Sequence, residues 1–131
     1  VKRIVTYGTF DILHTGHINL LKRARALGDE LYVGLSSDSF NMIKNKKSVL
    51  DYSNRKVVLE SLKYVDYVFP EENWDQKSVD VRKYKIDSFV IGEDWRGKFD
   101  FLKEYCNVIY LPRTPSISTT MLKKKILHVA A

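Results

Sequence analysis

The sequence predicts an α/β fold built on a parallel sheet, from three observations. Short β-branched or aromatic runs alternate with helical patterns along the whole of the 131 residues, the signature of βαβ units joined by right-handed crossovers. The first apolar run, Arg3-Ile4-Val5-Thr6, leads directly into a polar loop holding Gly8 and then Gly16, a strand-to-helix turn of the kind at which parallel sheets hold nucleotides. The length suits one domain, residues 1–131, with a genuine core and no disulfide staples.

Each element follows from its pattern. Arg3 to Tyr7 reads as the first strand. Leu20, Leu21, Ala24 and Leu27 form an apolar stripe on a helix over His17 to Leu27, with Gly28 in the stop position. Leu31 to Leu35 is the second strand, and a short segment from Phe40 to Ile43 leads into Lys44-Asn45-Lys46-Lys47. Ser53 is a cap for a helix over Asn54 to Tyr64, with Val57, Val58, Leu59 and Leu62 inward. Asp66 to Phe69 is a strand stopped by Pro70, Gln76 to Lys85 a helix, and Ser88 to Ile91 a strand ending at Gly92. A short helix over Phe99 to Tyr105 precedes the last strand, Val108 to Leu111, which Pro112 ends. Ser118 or Thr119 caps a final helix over Met121 to His128. In such sheets ligands bind beyond the carboxyl ends of the strands, which selects Gly8 to His17, Gly92 to Trp95 and Pro112 to Thr120.

Composition narrows the class. Twenty-two Lys and Arg against 16 Asp and Glu give a formal charge of +6, suited to anionic partners. Phosphorylated small molecules fit better than nucleic acid, because no RNA-binding motif accompanies the basic clusters and Lys123-Lys124-Lys125 reads as the solvated face of a terminal helix. The single cysteine, Cys106, excludes an intrachain disulfide and suits a reducing compartment. No apolar run approaches the roughly 18 residues of a membrane span, and no secretory leader is evident, so a cytoplasmic protein is expected.

His14 and His17 carry the chemistry. Three residues apart at a helix start, they fall on one side of the first turn. Free N–H groups and the helix dipole favour a phosphate at that place, and imidazoles beside it donate hydrogen bonds as charge develops. Gly16 lets a ligand approach the backbone. The plainer reading makes the histidines helix caps. A zinc pair is disfavoured, since helical zinc histidines use i, i+4 spacing with a nearby carboxylate.

Gly8-Thr9-Phe10-Asp11 followed by His14-Thr15-Gly16-His17 resembles the HxGH signature of the nucleotidylyltransferase superfamily. Arg113-Thr114-Pro115-Ser116-Ile117-Ser118-Thr119-Thr120 resembles the second signature of its cytidylyltransferases. Further matches at Lys44 and Lys46, Arg55, Asn73-Trp74 with Lys77, and Gly92 to Leu102 resemble the branch that acts on glycerol 3-phosphate. Two positions depart from the pattern: Ser116 stands where the family usually has glycine, and Lys63 where close relatives often carry arginine.

The resemblance implies a single-domain, Rossmann-like nucleotidylyltransferase fold with a mainly five-stranded parallel sheet flanked by helices. It implies a nucleotidyltransferase that makes CDP-glycerol and diphosphate from CTP and glycerol 3-phosphate, with Mg²⁺ held mainly by the CTP phosphates. It further implies a homodimer and a role in supplying teichoic-acid or capsular polymers. His14, His17, Arg113, Lys44 and Lys46 would be the catalytic set. The nucleotide would be held by Thr9, Phe10, Thr15, Gly16, Lys46, Asp94, Arg113, Thr114, Pro115, Ser116, Ile117, Ser118, Thr119 and Thr120 together with the histidines. Lys44, Lys77 and Arg55 would hold glycerol 3-phosphate; no residue is assigned to a metal, Asp11 being the one candidate. The alternatives are another small nucleotidylyltransferase, acting on phosphocholine or phosphoethanolamine or using ATP, and an inactive nucleotide-binding module.

Overall fold

The computed structural model of the protein describes residues 1–114 and 117–130. Five strands, β1 (Arg3–Gly8), β2 (Glu30–Ser36), β3 (Tyr67–Glu71), β4 (Ser88–Gly92) and β5 (Asn107–Leu111), form one sheet in the order β3-β2-β1-β4-β5. Every neighbouring pair is parallel. Among the described residues five α-helices accompany them: α1 (Thr15–Arg25), α2 (Asp38–Ile43), α3 (Tyr52–Glu60), α4 (Gln76–Lys83) and α5 (Thr119–Ala130). The chain leaves β1 in one direction to build β2 and β3 and returns to its other side for β4 and β5. The switch point therefore falls between β1 and β4, where such folds open a crevice for ligands.

Alternation along the strands supplies two cores, because successive side chains leave opposite faces. Ile4, Leu31, Val33, Val68 and Val90 pack with Leu21 and Ala24 of α1 and Leu59 of α3 on one face. Val5, Phe69, Phe89 and Ile91 pack with Val81 of α4 and Leu102 on the other. Both faces of the central strands are covered, which is why β1 and β4 read as nearly unbroken apolar runs.

Several boundaries differ from expectation for identifiable reasons. Pro70 does not stop β3 but lies within it, opposite Leu35. As β3 is an edge strand, the missing N–H of an exposed proline costs no ladder bond. Helix α3 is capped by Asp51, whose carboxylate accepts from Asn54 N at 2.9 Å, and Ser53 lies inside the helix. It ends at Glu60, four residues short of Tyr64, and turns Arg55 and Leu59 inward, so that Val57 and Val58, expected in the core, are exposed. Helix α1 begins at Thr15 because His14 is its cap, and Leu27, beyond the helix, is exposed. The turn at Asp100–Glu104 is a 3₁₀ helix. As expected, Ser118 caps the last helix, its Oγ accepting from Met121 N at 3.1 Å.

Candidate active site

The loop leaving β1 holds two non-glycine residues in the left-handed region, Phe10 and Ile12, each at φ 49°. For a β-branched isoleucine this is a strained conformation that persists only where surrounding groups enforce it. Four ties do so. Arg55 Nη1 donates to Thr9 O at 3.0 Å. The buried Asp11 carboxylate accepts from Val49 N at 2.6 Å and Leu50 N at 3.0 Å, and pairs with Lys123 at 3.0 Å. Thr119 Oγ1, on the first turn of α5, donates to Asp11 O at 2.9 Å. Thr9 Oγ1 donates to Asn41 Oδ1 at 3.1 Å. The C-terminal helix is thus fastened directly to the histidine loop.

His14 and His17 are caps and cavity residues at once. Nδ1 of His14 accepts from Gly16 N at 3.0 Å, while Nδ1 of His17 accepts from His14 N at 3.2 Å, a reciprocal capping box made of two imidazoles. The rings stack with centroids 3.9 Å apart. With both Nδ1 atoms accepting, the proton of each neutral ring sits on Nε2 and is free to donate. Burial, reinforced by neighbouring His14 and opposed by Asp11, pushes His17 down to about 4, and burial also lowers His14. Both are therefore neutral donors near pH 7. Gly16 is required for a reason besides ligand approach: a Cβ there would lie 2.7 Å from His14 Cε1 and displace the cap.

A cavity of about 370 Å³ opens at this point between β1, β4 and the start of α5. Thr9, Phe10, His14, Gly16, His17 and Lys46 line it on one side. Asp94, Arg113, Thr114, Ile117, Ser118 and Thr119 line it on the other, and Asp94 stands 3.4 Å from Arg113. A second cavity, also about 370 Å³, continues past His17 and Thr119 to Thr120, Lys47 and Lys123. A third, of about 250 Å³, shares Thr9, Lys46 and Trp95 with the first and extends to Lys44, Glu71, Trp74 and Lys77. The paired histidines and the hydroxyl-rich turn therefore face one space, and the basic residues expected to meet a second phosphate lie next to it.

Other expected residues lie elsewhere. Thr15 is exposed and lines none of these three cavities. Pro115 and Ser116 fall outside the described residues. Arg55, expected as a substrate clamp, is buried beneath the loop at 1% exposure. Its guanidinium is committed to Leu50 O, Thr9 O, Ser36 O and Asp38 Oδ1, so it braces the loop instead of presenting charge to a ligand. Lys77 lines the third cavity but is 3% exposed and ion-paired with Glu71, so its charge is already matched.

The candidate metal ligand Asp11 has its oxygens taken by the two N–H groups and Lys123; burial alone would raise its pKa, but these contacts outweigh it and hold the carboxyl low. Among the described residues no group of three His, Cys, Asp or Glu gathers to hold a metal, and no helix is long and apolar enough to cross a membrane.

Sequence reasoning missed Lys123, whose amino group also donates to Lys47 O at 2.9 Å. Its spacing from Thr119, i to i+4 on one helix face, was a usable signal. Arg23 was also missed. It lines the first cavity and donates to Pro112 O at 3.0 Å, tying α1 to the loop before α5.

A parallel sheet whose switch point carries an HxGH helix start, facing a second polar helix start across one cavity, defines a nucleotidylyltransferase of the Rossmann-like class. The chain belongs to the cytidylyltransferase-like family, whose model matches residues 5–125. It is 60% identical over 124 residues to a glycerol-3-phosphate cytidylyltransferase of Bacillus spizizenii, covering 95% of this chain and 96% of that one. It is 56% identical over 126 residues to the Bacillus subtilis protein of the same name, covering 96% and 98%. Among solved structures it is similar to a lipopolysaccharide core biosynthesis protein of Thermoplasma volcanium, with a TM-score of 0.75 at 28% identity, covering 86% of this chain and 98% of that one.

Proposed function

We propose that the chain transfers the cytidylyl group of CTP to sn-glycerol 3-phosphate, forming CDP-glycerol and diphosphate. The observation that carries this reading is its likeness, over almost their whole length, to two Bacillus relatives named for that activity. The joined cavities support it, since the reaction needs a nucleotide and a second phosphate side by side.

An oxygen of the acceptor phosphate attacks the α-phosphorus of CTP in line; that P–O bond forms as the bond to the β-phosphate oxygen breaks, and diphosphate leaves. A phosphate monoester is ionised near neutral pH, so no general base is required and catalysis rests on positioning and charge stabilisation. The Nε2–H groups of His14 and His17 donate to phosphate oxygens as charge builds on the pentacoordinate centre. Thr9 and Phe10 offer backbone groups. Arg113, Thr114, Ser118, Thr119 and Thr120 gather the nucleotide at the free N–H groups of α5, and Asp94 orients Arg113 or meets the cytidine. Lys46, common to all three cavities, stands where the reacting phosphates meet. Lys44 receives the acceptor phosphate, with Lys77 further along the same wall.

Mg²⁺ would be held mainly by the CTP phosphates and would offset their charge, since the oxygens of Asp11 are already taken by Val49 N, Leu50 N and Lys123. A homodimer is proposed on the exposed Val57, Val58 and Tyr67 along α3 and the β3 edge, and a cytoplasmic supply of CDP-glycerol for teichoic-acid or capsular polymers is proposed by analogy. A diphosphate-release assay over a substrate panel tests the reaction. Turnover should require CTP and glycerol 3-phosphate and fall at least about 100-fold with ATP or phosphocholine. Equal turnover with either would favour another nucleotidylyl transfer, and CTP binding without release would favour a binding module.

A further inference from the structure

The wall of the third cavity that is not shared with the nucleotide cavity consists of Lys44, Glu71, Trp74, Lys77 and Phe99. An acceptor whose phosphate is received by Lys44 beside the junction at Lys46 and Thr9 has Glu71 and Lys77 as the remaining charged groups of this cavity for its other end. These two are buried to the same degree, 3% exposed each, and are ion-paired. The Lys77 ammonium lies 4.8 Å, 5.2 Å and 5.9 Å from the ring centroids of Tyr7, Phe99 and Trp74. Three aromatic rings and a carboxylate around one cation are the chemistry of an alkylammonium site, but here the cation is part of the chain. The Tyr7 ring is fixed by its hydroxyl, which donates to Asp80 at 2.8 Å. The pair keeps unused hydrogen-bonding capacity, since an ammonium has three donors and a carboxylate several acceptor positions. Stability does not account for it, because a buried ion pair is replaceable by apolar groups at little loss.

We propose that the Glu71–Lys77 pair is the specificity element of the acceptor cavity: it hydrogen-bonds the free hydroxyls of a polyol phosphate, and Lys77, by filling the aromatic cage, shuts out aminoalkyl phosphates. The inference rests on the acceptor reading given under Proposed function and deepens it. Glu71 supplies acceptors and Lys77 donors to a vicinal diol, while the cage that would bind a substrate ammonium is already occupied.

Diphosphate release with glycerol 3-phosphate, propyl phosphate and phosphoethanolamine tests this. The wild-type protein should reject propyl phosphate by about 100-fold or more, as expected where a site's polar groups lose their partners. Lys77→Met should lower kcat/KM for glycerol 3-phosphate and raise that for phosphoethanolamine, each by about tenfold or more, because Glu71 and the three rings then face an empty cation site. The double variant Glu71→Gln with Lys77→Met leaves no unpaired buried charge. It should lose most of the preference for glycerol 3-phosphate over propyl phosphate without gaining phosphoethanolamine turnover. An undiminished preference in the double variant would overturn the hydroxyl assignment, and unchanged phosphoethanolamine turnover in Lys77→Met would overturn the cage. Should Lys77→Met lose its cooperative unfolding transition, methylammonium should restore it, and failure to do so would also count against the cage. A wild-type protein inactive with glycerol 3-phosphate would instead overturn the proposed function itself.

Discussion

The cavity proposed for the nucleotide and the one proposed for the acceptor share a wall at Thr9 and Lys46 but present different chemistry. On the nucleotide side the donors at the histidine loop are neutral imidazoles and backbone N–H groups, fixed by a reciprocal cap and by a loop strained at Phe10 and Ile12. On the acceptor side the groups are charged and held among aromatic rings: Lys77 over Tyr7, Phe99 and Trp74, and Lys44 4.6 Å from the Phe40 ring. Neutral donors suit the site of bond exchange, where they match charge that appears only in the transition state. A cation such as Lys44 suits recognition of an anion that carries its charge throughout, while the mutually neutralised Glu71–Lys77 pair suits uncharged hydroxyls. The first kind depends on geometry, the second on protonation.

The sharpest way to break this contrast is to remove one imidazole. His14→Asn keeps a cap acceptor but loses Nε2–H, and kcat should fall on the order of 100-fold or more with little change in Tm or CTP affinity. Weakened CTP binding with kcat intact would assign the histidines to ground-state binding. Next in size is the support beneath the loop. Arg55→Ala strands the carbonyls of Thr9, Ser36 and Leu50, and denaturant unfolding should register a loss of about 3 kcal/mol. A loss below about 1 kcal/mol would mean that the strained loop is held by its other ties alone.

Titration sharpens the contrast further. Burial, aided by Lys46, Lys77 and Arg55 and opposed by Glu71, pushes Lys44 down to about 8. Above that pH the free enzyme loses this cation, so KM for the acceptor should rise, by up to about tenfold per pH unit. Lys44→Arg should flatten the profile, because the guanidinium stays charged. Stability runs the other way. Between about 8 and the ordinary lysine value of 10.5 the unfolded chain binds a proton that the folded chain has released, so the Lys44 contribution to folding grows with pH. His17, with its pKa lowered to about 4, loses its neutral form only near that pH. Its contribution to stability falls as pH drops from 6.5 toward 4, where only the unfolded imidazole is protonated. The smallest effect is expected at the exposed Asp94–Arg113 pair. Asp94→Asn should change thermal stability by less than about 1 kcal/mol, while any rise in KM for CTP would report its place in the nucleotide cavity.

What could be read from the sequence follows the same division. Strands and helices were legible because periodicity is local, and the histidine loop and the hydroxyl-rich turn because each is a contiguous motif. Arg55 misled because its partners are carbonyls from three separated segments, Thr9, Ser36 and Leu50, and backbone acceptors leave no mark in a sequence. Lys77 carries a motif signal in the sequence, but its place as a buried cation inside a cage assembled from β1, the segment before α4 and the turn at Phe99 leaves none. Asp11 reads as a metal candidate in the sequence because the groups on its oxygens, Val49 N, Leu50 N and Lys123, are distant along the chain. Pro70 reads as a strand stop because edge position, which lets a strand keep a proline, is a property of the sheet order and not of the local sequence.

The most direct test is a crystal structure of the CTP complex. Nε2 of both His14 and His17 should lie within hydrogen-bond reach of phosphate oxygens, with Ser118 and Thr119 on the same triphosphate and the α-phosphorus facing Lys46. A nucleotide contacting only one of these two segments, or bound away from the β1–β4 crevice, would contradict it.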